Sequence, residues 1–291
     1  MSKYYQPSGG FSPSSILYFI LTSAIVIPIL ALIYTYLIWY IPFIYINLFI
    51  TIGFSFLIGM AISRFTIKTG KVRNSTIAII FGLFGGLLAL YFSWAIWVDL
   101  VINAGESYGG SRIGITASNI KFLQVFELAF DPETLVGLIS KINEVGTWGL
   151  RSTTVSGTFL TIIWVIEILI VIVISTLVAY NASKIPFCEI DNKWFEEKIL
   201  PAFSFIKNPK EMTTNLENSN QNSFDELERI SDVEMESHSI FTLYSSEKGK
   251  NFLVIENRQA KTNDKDEIEF DDDEFIQYIS ISSELKNKLL K

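Results

Sequence analysis

Glu167 is a carboxylate in a place where carboxylates are rarely tolerated. It lies about ten residues into the apolar run 157–180, and at 1.5 Å per residue that puts it about 15 Å deep. A charge at such a depth costs about 2.5–3.5 kcal/mol on insertion scales, so the residue needs a partner or a task. Counting by depth offers several neighbours. Pro28 sits mid-run in the first apolar stretch, where its missing N–H frees the carbonyl of Ala24. The second stretch brings Thr51, Gly53 and Ser55, and the third brings Gly82, Gly85 and Gly86. Gly82 and Gly86, like Ser55 and Gly59, have the small-xxx-small spacing that lets helices approach closely. Two kinds of chemistry fit this layer. Glu167 is either a buried clamp that fixes helix register or a site that binds a cation or relays a proton. A relay needs polar neighbours one or two turns away, but Leu160, Ile163, Trp164, Ile170, Val171 and Ile174 are apolar, so the clamp is the better reading.

The other reactive residue types do not assemble into sets. Cys188 is the only cysteine, so neither a disulfide framework nor a zinc knuckle follows. His238, the only histidine, has no nucleophile or ligand set near it in sequence and reads as a surface residue. The run Asp271, Asp272, Asp273, Glu274 lacks the alternating ligands and glycine of a calcium loop and reads as a solvated turn. The glycine-rich stretch 109–114 has no phosphate-loop lysine and reads as a flexible turn. No Ser–His, Cys–His or paired-aspartate arrangement can be built from the chain. The sequence therefore points away from an enzyme and calls for neither metal nor cofactor.

What must position Glu167 is a membrane bundle. The 291 residues are 49% hydrophobic and 18% charged, with a mean hydropathy of +0.36, and residues 4–63 carry no charge at all. A water-soluble globule would need charged faces there. The uncharged stretch 16–62 is too long for one span and suits two, broken at Pro42 among Trp39, Tyr40 and Tyr45. Spans are expected over about 16–38, 43–62, 76–98 and 157–180. Trp94, Trp97 and Asp99 mark the far end of the third. The first is longer than a signal-peptide core and runs almost straight into the second, so it is expected to be retained.

Short-loop charge sets the orientation. Arg64, Lys68, Lys71 and Arg73 fall together between the second and third spans with no acid among them, so that loop is cytoplasmic. Both termini are then cytoplasmic, and 99–156 is extracytoplasmic, in a plasma membrane of bacterial inner-membrane type.

The extracytoplasmic segment is patterned as helix. Lys121, Gln124, Glu127 and Asp131 form a narrow polar stripe on an otherwise apolar stretch. Asp131 and Pro132 then read as N-cap and first residue of a second helix, carrying Leu135, Leu138, Ile139 and Ile142 on one face. Two such helices cap the bundle or lie in the interface. The net charge of −7 divides into +2 over residues 1–183 and −9 over residues 184–291, so the tail is a water-exposed part that repels nucleic acid. Residues 1–15 read as a cytoplasmic N-terminal segment and 208–222 as a flexible tether within a juxtamembrane stretch 184–222. A small α+β domain is expected over 223–291, with a short helix at 223–230, a hairpin turning at 247–250, a third strand at 275–280 and a closing helix at 283–290.

The expected fold is thus membrane all-α, a four-transmembrane-helix bundle with an outer amphipathic helical cap and a small cytoplasmic α+β domain. The expected function is that of a non-enzymatic scaffold, anchor or signal-transmitting subunit. Its partners are the lipid bilayer and either further copies of itself or a membrane-protein complex. The alternative is a small transporter or channel component that uses Glu167 for ion or proton coupling.

Overall fold

The computed structural model describes all residues except 1, 2, 42, 111, 112, 147, 151, 152, 232 and 291. Contacts divide them into two compact units, Gly9–Ser183 and a second made of Met1–Ser8 with Lys184–Lys291.

The first unit holds four helices long and apolar enough to cross a membrane: α1 (Ser14–Tyr40), α2 (Ile44–Lys68), α3 (Ser75–Ile102) and, further along the chain, α6 (Gly157–Ala182). This is the architecture of a multi-pass membrane protein. The helix limits lie within four residues of the expected ones, except that the second runs six residues further, through Arg64 to Lys68, and the break at Pro42 falls outside the described residues. α1 widens into a π-turn over Thr22–Val26 just before Pro28. Proline and a π-turn are each places where a helix bends. The bundle core is aliphatic, with Ile27, Ala31, Ile58, Ile62, Ala78 and Ala89 fully buried.

Between α3 and α6 the chain forms β1 (Ala104–Gly110), β2 (Ile113–Ser118), α4 (Phe122–Phe130), α5 (Pro132–Val145), β3 (Trp148–Leu150) and β4 (Thr153–Val155). β1 and β2 pair as an antiparallel hairpin, as do β3 and β4. The all-α expectation for the membrane part is therefore corrected. The glycines of 109–114 flank a hairpin rather than a loose turn, with residues 111 and 112 outside the described residues. The two helices are where the pattern put them. Asp131 caps α5 by accepting a bond from Thr134 N (3.1 Å). Gly146 ends the helix at φ +78°, and a Cβ there would run into the carbonyl of Val155. Leu128, Leu135 and Ile139 pack on Ala95 and Val98 of α3, so the pair caps the bundle.

The second unit is an antiparallel sheet in the order β11 (Ile268–Ile281), β10 (Asn251–Thr262), β9 (His238–Ser245), β7 (Glu196–Ile199), with β8 (Phe203–Ser204) also paired to β9. A small ribbon, β5 (Phe187–Cys188) with β6 (Lys193–Trp194), precedes it. Helices α7 (Pro209–Glu217) and α8 (Ser283–Leu290) complete the unit. Phe241, Leu243, Leu253 and Ile255 of the sheet pack with Met212 and Leu216 of α7 and Leu285 and Leu289 of α8.

Several expectations for the tail are corrected here. Residues 209–217 are a helix that buries Met212 and Leu216, not a tether: two apolar residues four apart suffice when a sheet offers them a face. Residues 221–226 are turns rather than a capped helix. His238 is buried at 2% exposure, its Nδ1 2.8 Å from the carbonyl of Glu236. The acids 271–274 lie within β11, opposite Gln259, Arg258, Asn257 and Glu256 of β10. The N-terminal residues are the largest departure. Tyr4 bridges to Ile279, Tyr5 N donates to the Tyr278 carbonyl (2.9 Å), and Ser280 N donates to the Lys3 carbonyl (2.7 Å). The start of the chain is thus woven onto the last strand of its end.

Candidate functional site

Within the bundle, α1, α2 and α6 each bring one polar side chain to a common point. The Tyr34 hydroxyl donates to Glu167 Oε1 at 2.5 Å and lies 3.1 Å from Thr51 Oγ1. Thr51 in turn donates to the Asn47 carbonyl one turn earlier (2.9 Å), the back-bond that a threonine in an apolar helix adopts to satisfy its proton. Tyr34 is 4% exposed and its ring stacks on Phe54 at 4.1 Å. Packing therefore holds the phenol that meets the carboxylate. In an apolar medium these groups gain by finding one another, since no water competes.

Of the residues expected around Glu167, Thr51 is placed there at one remove. Gly82 and Gly86, with Gly59, belong to a separate layer. Ser175 lies eight residues along α6, about 12 Å away at helical rise, and it donates to the Gly82 carbonyl (3.3 Å). A Cβ built on Gly82 would stand 2.7 Å from Thr176 Cα. One on Gly59 would stand 2.6 Å from Val178 Cβ, and one on Gly86 2.7 Å from Ser175 Oγ. Gly82, Gly86 and Gly59 are therefore the close-approach contacts that the spacing suggested. Ser55 is fully buried and bonds back to the Thr51 carbonyl (2.5 Å). Gly53 faces open space, and Pro28 lies at the π-turn of α1. What looked like one layer is two: a polar node and a packing layer further along α6.

An aromatic cluster lies beside the node. Trp164, one turn before Glu167, packs against Trp94 (5.8 Å) and Trp97 (5.9 Å). Glu167 is thus about 4.5 Å along the axis from this aromatic cluster and within three residues of the midpoint of α6, as deep as the sequence placed it.

A second polar cluster closes that end. Asp99 is fully buried rather than a surface marker. Its Oδ2 accepts from Lys121 N (3.0 Å) at the start of α4, and its Oδ1 accepts from Asn103 Nδ2 (3.0 Å), which also reaches Gln124 Oε1 (2.9 Å). Gln124, read as part of a wet stripe, thus turns inward.

The basic residues Arg64, Lys68, Lys71 and Arg73 lie at the opposite end. Lys68 closes α2, Lys71 takes φ +50° in the turn, and Arg73 N donates to the Gly10 carbonyl (2.8 Å). Among the described residues, no group of three or more His, Cys, Asp or Glu is placed to hold a metal.

Sequence reasoning missed Tyr34. The signal was present, since a tyrosine inside a span must find a partner for its hydroxyl, but only the packing shows which one. A double-mutant cycle measures the bond. Tyr34→Phe and Glu167→Leu should each lower bundle stability, and their coupling should be about 0.6–1.7 kcal/mol, the range of interhelical bonds in membranes. Glu167→Gln, which keeps an acceptor oxygen, should lose less than Glu167→Leu in the same unfolding assay.

Compared with family models, curated proteins and solved structures, the chain matches none of them.

Proposed function

We propose that this protein is a non-enzymatic membrane subunit that anchors its sheet domain at the cytoplasmic face and transmits changes in helix packing to it. One observation supports this above the rest. The domain is built from both ends of the membrane chain, with Lys3–Tyr5 bonded to β11, so it is attached covalently to both α1 and α6. Those are the two spans that Tyr34 and Glu167 join. A shift of α6 against α1 would thus pull on both attachments. The same weave favours an even number of spans with the termini on one side, and the basic loop 64–73 favours the cytoplasm for that side, in a plasma membrane. The acidic, sheet-bearing domain suits contact with a protein partner or another copy of the chain.

The test is cross-linking in native membranes from photoreactive residues at exposed positions of the domain, such as Lys248 and Glu284. Discrete protein adducts or a covalent dimer are expected. If no position gave either, the scaffold reading would fail.

A second reading, ion or proton coupling through Glu167, draws on the bonded line Asn47, Thr51, Tyr34, Glu167. That line ends at Glu167, beside the apolar Ile170, Val171 and Ile174 of α6, which favours the first reading. Flux in liposomes unaltered by Glu167→Gln would end the second.

A further inference from the structure

We propose that the outer half of α1 and the start of α4 form a binding site for one acyl chain of a bilayer phospholipid. A groove with a volume of about 510 Å³ is lined by Ile33, Tyr36, Leu37 and Tyr40 of α1 with Ile120 and Phe122 beyond β2. From Tyr40 back to Leu32, the lining residue farthest from it on α1, is about 12 Å at helical rise.

The two walls are held together. Trp39 Nε1 donates to the Thr116 carbonyl (2.8 Å) and the Tyr40 hydroxyl to the Ser118 carbonyl (3.0 Å), while the Asp99 carboxylate holds Lys121 N between the lining residues Ile120 and Phe122. These bonds fix the two walls of an open, shallow groove relative to each other.

Its occupant follows from what it opens onto. Ile25, Ile29, Ile33 and Leu37 are exposed along one face of α1, the face of a spanning helix that meets acyl chains. On the far side, Phe122 leads into Leu123, Phe126 and Phe130 of α4, all exposed. An apolar surface that continues a lipid-facing helix in both directions takes lipid. A soluble ligand would find almost no polar group there beyond the tyrosine hydroxyls. Lys121 is exposed at the outer end, between the two lining residues, which suits a lipid phosphate above the chain.

The experiment uses the full chain reconstituted in vesicles of phosphatidylcholine and phosphatidylglycerol, transferred to mild detergent and weighed by native mass spectrometry. The wild type should keep a bound phospholipid. Leu37→Trp or Ile33→Trp, which fill the groove, should lower its retention roughly tenfold, as excluding about two methylenes would. Ile166→Trp, on the exposed face of α6, should leave it unchanged. Equal retention in all four proteins, or none in the wild type, would mean annular lipid only and overturn the proposal. A phospholipid with a photoreactive acyl chain gives a readout that needs no variant. Label concentrated at Ile120 and Phe122 is expected, and label spread evenly along the exposed spans would contradict the site.

Discussion

Gly82→Val is expected to cost about 3 kcal/mol of bundle stability, the upper part of the range for overpacking a close contact. The added atoms would meet the backbone of α6 at Thr176 Cα, already 2.7 Å from a single Cβ. A main chain cannot rotate aside as a side chain can, so α3 and α6 must separate. That separation would also strip Ser175 of its bond to the Gly82 carbonyl. The control lies on the preceding helix, α2. Gly53 has nothing within 4 Å of its Cβ position, so Gly53→Ala should be neutral or gain up to about 1 kcal/mol of helix propensity. Thermal unfolding in detergent, followed through the tryptophans, separates the two cases. Equal melting for both variants would show that the glycine layer does not set the approach of the helices.

Tyr5→Ala is expected to release the N-terminal segment from the sheet domain at a cost of about 2–3 kcal/mol, somewhat below a fully buried aromatic because Tyr5 is half-buried. Its ring meets Phe252 at 5.4 Å and Tyr278 at 6.3 Å edge-on, and its hydroxyl accepts from Phe187 N at 3.1 Å. The expected readouts are faster amide exchange in β11 from Tyr278 to Ile281 and new proteolysis within residues 1–8. The same latch carries a pH signature. Burial, and then the bond to Glu217, push the Tyr4 phenol from 10.0 up to about 12. A raised folded-state value means the contribution is whole below pH 10 and is lost as pH climbs from about 10 to about 12. Burial also pushes Tyr244 and Tyr278 up. Tyr4→Phe should therefore blunt the alkaline loss of stability without abolishing it.

What could be read from the chain beforehand was what is local or periodic. Twenty apolar residues in a row mark a span wherever they fold, and Asp131 with Pro132 mark a helix start because capping involves only neighbouring atoms. The turn at 247–250 is legible for the same reason. The features that escaped depend on distant partners. Lys3–Tyr5 bonds as an extended segment only because the β11 edge is there to receive it. Residues 209–217 become a helix because Met212 and Leu216 find the sheet. His238 and Asp99 look like surface residues by type, yet both are buried with polar partners, which composition does not encode. Glu167 was legible as a residue in need of a partner. Its depth was legible too, ten residues into the helix, but the identity of that partner was not, because it follows from how Tyr34 packs.

Labelling of single cysteines with a membrane-impermeant maleimide, in a Cys188→Ser background, tests the arrangement of the chain most directly. Glu106→Cys, exposed at the capped end, should react in intact cells. Lys248→Cys, exposed on the sheet domain, should react only after lysis. The same reactivity at both positions before lysis would put the cap and the domain on one side of the membrane, and the four-span anchor with its doubly held domain would have to be abandoned.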